Sequence, residues 1–204
     1  WGIPLLFPRE YTRKKILFPV ATAFLIILAA LTWQQCGYWK NNTTLFSHAL
    51  RVTKDNYLAH GNLASALLEK GKIREAIYHY NKALSIMPDY DVAYYNLGIA
   101  YYALGQYQRA IENFKEAIRI LPNYAAAYYN SGIIYIGLRQ YQRAIDNYNK
   151  AICINPDYAY AYNDRALAYL NQGNNKLGCP DAQKACALGV CKVLEWSKNN
   201  GFCR

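Results

Sequence analysis

A carboxamide returns every 34 residues in this chain: Asn62, Asn96 and Asn130, with the carboxylate of Asp164 at the next interval. A primary amide carries both a donor and an acceptor. A stacked series of them can hold a peptide backbone without reading its side chains. The plainer alternative is that asparagine caps local turns. Tyr95, Tyr102 and Tyr129, with Ile99 and Ile133, stand beside these polar residues. Tyrosine gives wide contact and a hydroxyl at modest entropic cost. The residue sets of catalysis are missing. His48, His60 and His79 are scattered, with no Ser or Cys at motif spacing. No phosphate-cradling glycine loop, HExxH or paired-carboxylate motif is present. The chain is expected to bind rather than catalyse, with no cofactor and no metal.

Four of the six cysteines, Cys179, Cys186, Cys191 and Cys203, fall in the last 26 residues. Outside the cytoplasm they are expected to form disulfides. Four cysteines allow three pairings. The favoured one joins Cys186 to Cys191 across the turn at Gly189 and Cys179 to Cys203, and sequence does not settle it. A zinc site is the rival, but the tail holds no CxxC pair and no histidine. Cys153, on a repeat helix, is expected to be a buried thiol, and Cys36 has no evident partner.

The net charge of +10 is spread along the chain. Residues 1–56 hold seven basic and two acidic side chains, 57–158 ten and eight, and 159–204 six and three. Nucleic-acid binders concentrate their basic residues on one face, so no nucleic-acid partner is expected. Asn41-Asn42-Thr43-Thr44 holds two overlapping glycosylation sequons, exposed acceptors only in a lumenal protein.

The elements that carry these residues follow from the repeat. In the copies 57–90, 91–124 and 125–158, a small residue stands eighth (Ala64, Gly98, Gly132) and alanine twentieth (Ala76, Ala110, Ala144). An aromatic stands twenty-fourth (Tyr80, Phe114, Tyr148), alanine twenty-seventh (Ala83, Ala117, Ala151) and proline thirty-second (Pro88, Pro122, Pro156). Apolar spacing predicts two helices per copy, A over 91–104 and B over 107–120 in the second. Gly71 and Gly105 separate A from B, whereas the third copy has Arg139 there. Proline stops helix B. This pattern resembles the tetratricopeptide repeat over 57–158, with His60, Tyr94, Tyr128 and Tyr162 where that family has Trp. The resemblance implies an all-α solenoid of antiparallel helix pairs.

Two ragged ends flank the array. Residues 40–56 fit a lone B helix as a half-repeat. Residues 159–187 begin as a degenerate fourth copy, with Gly178, Cys179 and Pro180 where helix B should start, so that helix is expected to begin late, near Asp181. Residues 188–204 are expected to form a cysteine-rich cap with a short helix near 190–199.

In tetratricopeptide stacks the A helices line a concave face. The resemblance therefore implies a peptide-binding groove formed by Asn62, Asn96, Asn130, Asp164, Tyr95, Tyr102, Tyr129, Ile99 and Ile133. Its amides are similar to the asparagine ladder in the repeat domain of O-GlcNAc transferase, which holds the backbone of an extended peptide. Tyr94, Tyr101, Tyr128 and Tyr135 are expected in the inter-helix core. The basic clamp of chaperone-binding relatives is not expected, because Glu69, Ala103 and Gly137 stand at a groove position.

Residues 16–33 form an uncharged apolar run of 18, long enough for a membrane span. Arg9, Arg13, Lys14 and Lys15 precede it and Trp33, Tyr38 and Trp39 follow. These flanks point the basic end to the cytoplasm, so the repeats are expected on the extracytoplasmic side of the inner membrane, in the periplasm, or in the lumen in a eukaryote; the alternative is a buried core helix of a soluble protein. A cleaved signal peptide fits less well, as no small-x-small site follows. The apolar residues within 1–15 read as the end of an earlier membrane segment and a cytoplasmic loop. The junction from Trp33 to Leu63 resembles membrane proteins that join a multi-span glycosyltransferase-like domain to C-terminal tetratricopeptide repeats. Transmembrane O-mannosyltransferase-like proteins are the eukaryotic examples. That resemblance implies an acceptor-recruiting domain of a lipid-linked-sugar glycosyltransferase. The groove itself implies a polypeptide partner, and open solenoid ends allow self-association.

Overall fold

The computed structural model describes Lys15 and residues 18–203. The membrane-segment end and loop expected in residues 1–15 (Lys15 excepted), and Ile16 and Leu17 of the expected span, lie outside the described residues. The chain divides into two compact units, Trp1–Lys54 and Asp55–Arg204.

The first unit holds α1 (Phe18–Tyr38) and α2 (Asn42–Val52). At about 1.5 Å per residue, the 21 residues of α1 run for roughly 31 Å. The helix is long and apolar enough to cross a bilayer, and none of its residues is buried. It continues five residues beyond Trp33, through Gln34, Gln35 and Cys36 to Tyr38. The Asn41 side chain starts α2 by accepting from the Thr44 amide at 2.9 Å.

The second unit is a stack of four helical hairpins and a closing helix. The hairpins are α3 (Tyr57–Glu69) with α4 (Ile73–Ile86), α5 (Asp91–Ala103) with α6 (Tyr107–Ile120), α7 (Ala125–Gly137) with α8 (Tyr141–Ile154), and α9 (Ala159–Asn171) with α10 (Asn175–Ala187). The closing helix is α11 (Lys192–Asn199). Each of the first three B helices packs on its own A helix and on the A helix that follows, and the fourth packs on its own A helix and on the closing helix. The alanines at the third, twentieth and twenty-seventh positions are almost wholly buried, as at Ala93, Ala110 and Ala117. Tyr80, Phe114 and Tyr148 fill the space between them, each stabilising by roughly 2–3 kcal/mol through burial. Gly98 lets Phe114 approach so closely that an added Cβ would meet its ring at 2.4 Å. Helix B ends one residue before the pre-proline position, and Met87, Leu121 and Asn155 turn extended ahead of Pro88, Pro122 and Pro156. The A-to-B turns place Gly71, Gly105 and Gly173 at φ 73°, 71° and 77°, and Arg139 adopts the same left-handed state at φ 57°.

Two expectations need correction. Helix B of the fourth repeat begins at Asn175, not near Asp181, with the Asn174 side chain accepting from the Leu177 amide. Gly178 is not a breaker. It holds the twentieth, small position and packs against Leu170, where a Cβ would meet Leu170 Cγ at 2.8 Å. Pro180 sits inside the helix as its sixth residue, where it forfeits the helical bond to the Lys176 carbonyl. Cys153 is exposed rather than buried. It occupies the twenty-ninth position, which carries Ser85 and Arg119 in the earlier copies and faces outward.

The last repeat has Ala182 where the others have an aromatic. Val193 of α11 and Cys203 supply the missing volume, packed with Ala166 and Leu170. Cys179–Cys203 and Cys186–Cys191 are disulfide-bonded and tie this cap down. The buried Asn163 side chain accepts from the Val193 amide at 3.1 Å, satisfying a free donor at the start of α11.

Candidate interaction groove

The A helices place the fifth and sixth positions of successive repeats side by side. Asn130 Nδ2 donates to the Tyr95 hydroxyl at 2.9 Å. One repeat later the Tyr129 hydroxyl donates to Asp164 Oδ2, also at 2.9 Å. The polar series is therefore woven into the stack. A fifth-position tyrosine holds the sixth-position residue of the next repeat. That bond uses one N–H of the Asn130 amide, which also carries a second N–H and a carbonyl acceptor. Asn96 is half-buried and Asn62 exposed.

Tyr95, Ile99, Tyr102, Asn130 and Ile133, all expected in the groove, converge on one cavity of about 320 Å³, which Phe114 completes. The lining is aromatic and branched aliphatic, with a single amide. Such a recess takes an apolar side chain while the amide meets a backbone or side-chain polar group. Tyr129 and Asp164 lie one repeat on. Tyr94, Tyr101, Tyr128 and Tyr135 pack in the inter-helix core.

Sequence reading passed over the thirty-fourth position, although Tyr90, Tyr124 and Tyr158 recur there at the repeat interval. Tyr124 stacks on Tyr95 with ring centroids 4.8 Å apart, and Tyr158 lies 4.9 Å from Tyr129. In the first repeat the fifth position is Gly61, and Tyr90 occupies the space a side chain would need, 2.8 Å from an ideal Cβ. Tyr124 and Tyr158 thus pack against the fifth-position tyrosines, and Tyr90 fills the place of the missing one. Burial, then the charges of neighbouring Tyr95 and Asp91, push the Tyr124 phenol up to about 12. Burial, then Tyr95 and Asp164, push Tyr158 to about 12. The Tyr129 phenol is held far above its ordinary value by burial and by the Asp164 carboxylate. These hydroxyls stay protonated donors throughout the physiological range.

Two polar pairs elsewhere were also missed. His60 and His79, scattered in sequence, meet with their Nδ1 atoms 2.9 Å apart. Arg165 forms a bidentate pair with Asp181, Nε to Oδ2 at 2.7 Å and Nη2 to Oδ1 at 2.8 Å, and its Nη1 donates to Asn149 at 2.6 Å. Among the described residues no group of three or more His, Cys, Asp or Glu could hold a metal ion.

Residues 55–123 and 92–154 match the tetratricopeptide repeat, and residues 138–173 match a second form of it. No curated protein matches the chain. Among solved structures, the chain is similar to a crystal structure of MamA at 26% identity and TM-score 0.69, over 76% of this chain and 91% of that one. It shares its fold with residues 41 to the end of MamA from Desulfovibrio magneticus RS-1, at 21% identity and TM-score 0.67, over 79% and 93%. A chain of the APC/C hetero-tetramer Cut9–Hcn1 aligns at 21% identity and TM-score 0.64, over 71% of this chain and 29% of that one. With these matches spanning 55–173 and four stacked hairpins in register with them, the chain belongs to the tetratricopeptide repeat family.

Proposed function

We propose that this chain is a membrane-anchored interaction module that binds an extended polypeptide along its A-helix face. The observation that carries this reading is the apolar cavity of about 320 Å³ with the Asn130 amide at its edge, built from Tyr95, Ile99, Tyr102, Phe114 and Ile133. An apolar recess bordered by an amide suits a peptide, whose side chain fills the recess while its backbone bonds to the amide. The anchor is the apolar run at 16–33, described as helix from Phe18 and carried on to Tyr38. The basic residues before the run and the two disulfides favour an extracytoplasmic position for the repeats. The role of the chain is capture rather than catalysis.

The test uses the full chain in detergent micelles, titrated with a random-peptide array. The double variant Asn96→Ala, Asn130→Ala is expected to weaken capture about tenfold, the scale of one or two net hydrogen bonds, with helicity by circular dichroism unchanged. Equal affinity of the variant removes the groove from the binding reaction. Protease digestion of intact spheroplasts checks sidedness. Survival of residues beyond Trp39 until the bilayer is broken would place the repeats inside.

A further inference from the structure

The sixth position changes from Asn in three repeats to Asp in the fourth. Each oxygen of the half-buried Asp164 carboxylate accepts one hydrogen bond, Oδ2 from Tyr129 and Oδ1 from Asn163 Nδ2, both at 2.9 Å. A carboxylate has about four acceptor directions, so the group is fixed in place with capacity to spare. Among the described residues no Lys or Arg forms an ion pair with it. The adjacent cation, Arg165, is committed to Asp181 and Asn149. The acid's partner Tyr129 has the rings of Tyr148 and Tyr158 beside its own, with centroids 5.9 and 4.9 Å away. Burial first, and then the Asp164 charge, raise the phenols of Tyr129 and Tyr148, while at Tyr158 the Asp164 charge follows burial and Tyr95. The Tyr148 hydroxyl is buried in this neighbourhood without a hydrogen-bond partner.

A fixed carboxylate beside tyrosine rings is complementary to a cation that is itself a donor. The acid supplies the charge-assisted bond and the rings supply cation–π attraction. We infer that Asp164, Tyr129 and Tyr158 form a second subsite of the groove, which takes a Lys or Arg side chain of the bound polypeptide. The inference rests on the groove reading above and adds selectivity to it. Packed helices lie roughly 8–10 Å apart, and an extended chain covers that distance in roughly three residues. The preferred segment therefore has a large apolar residue for the Tyr95–Ile133 cavity and a basic residue roughly three positions away.

The experiment is a positional-scanning dodecapeptide library presented to the full chain in detergent micelles, to wild type and to Asp164→Asn. Asparagine keeps an acceptor for Tyr129 and is what the other repeats carry, so the variant is expected to fold. Thermal melts confirm that it does. Wild type is expected to enrich Lys or Arg at one position about three residues from an enriched Leu, Ile or Phe. The basic preference should fall at least tenfold in Asp164→Asn while the apolar preference remains. Affinity for the basic peptides should decline with added salt in wild type and not in the variant. Peptides captured with no basic enrichment, or with equal basic enrichment in both proteins, overturn this subsite and leave the groove standing. Should the library fail to bind wild type at all, the groove and its subsite both fall.

Discussion

Tyr95 and Asn130 are joined by a 2.9 Å hydrogen bond across the boundary between the second and third repeats. The contact ties the inner face of one A helix to the next and fixes the amide that borders the apolar cavity. A half-buried neutral bond of this kind contributes about 1 kcal/mol. In a double-mutant cycle of Tyr95→Phe and Asn130→Ala, the coupling is expected at about 0.5–1.5 kcal/mol. Urea unfolding measures it. Strictly additive effects would show that the bond does not form in solution.

The aromatic at the twenty-fourth position appears with and without a satisfied hydroxyl. Tyr80 bonds to Ser65 Oγ at 2.9 Å, whereas the buried Tyr148 hydroxyl has no partner. Removing an unpaired buried hydroxyl relieves a desolvation cost. Tyr148→Phe is therefore expected to hold or raise stability by up to about 1 kcal/mol, while Tyr80→Phe lowers it by about as much. Phe114 already fills the equivalent place. Equilibrium unfolding of the two variants compares them directly, and a Tyr148→Phe loss as large as that of Tyr80→Phe would contradict the assignment.

Arg139 holds a left-handed φ of 57° where Gly71, Gly105 and Gly173 hold theirs freely. A residue with a Cβ is strained there by roughly 1 kcal/mol. Arg139→Gly is expected to raise the unfolding midpoint by an amount worth a few tenths to about 1 kcal/mol, the gain being reduced by the greater freedom of glycine in the unfolded chain. A fall in the midpoint would mean that Arg139 makes contacts that outweigh the strain.

What sequence revealed, and what it hid, divides along physical lines. The hairpins were legible because small residues, aromatics and prolines recur at fixed offsets, and each has one packing reason. The start of α10 was misread because Gly178-Cys179-Pro180 looks like a break when taken alone, although the repeat frame puts Gly178 at the small position. The cavity residues could be placed by register. Their partners could not. The Tyr95–Asn130, Tyr129–Asp164 and His60–His79 contacts depend on helix spacing and side-chain direction, which periodicity does not encode. Tyr90, Tyr124 and Tyr158, like the buried alanines Ala59, Ala93, Ala127 and Ala161, recur at the repeat interval and were legible there.

The cap carries Cys179–Cys203, which closes 24 residues, and Cys186–Cys191, while Cys36 and Cys153 are free and exposed. Unfolded, unreduced protein is expected to show two reactive thiols, and reduced protein all six. Losing the longer closure should destabilise the cap by about 3 kcal/mol. Reduction should then change Trp196 fluorescence, since that ring stacks on Phe202 next to Cys203. An unchanged emission spectrum after full reduction would show that α11 stays in place without its bridges.

The His60–His79 contact is expected to make the first repeat sensitive to acid. With Nδ1 atoms 2.9 Å apart, one ring must donate and the other accept, so the pair fits a single bridging proton. Burial, then the charge of Lys82, lower His60; burial, then His60, lower His79 against an opposing pull from Glu75. Folded values below 6.5 mean that the unfolded chain takes up more protons as pH falls. The contribution is complete above pH 6.5 and is lost as pH drops through the lower folded values. Wild type is expected to lose more stability between about pH 7.5 and 5.5 than His60→Phe, because that window lies above ordinary carboxylate titration. Urea midpoints at the two pH values decide it, and parallel losses in the two proteins would assign the acid sensitivity to other groups.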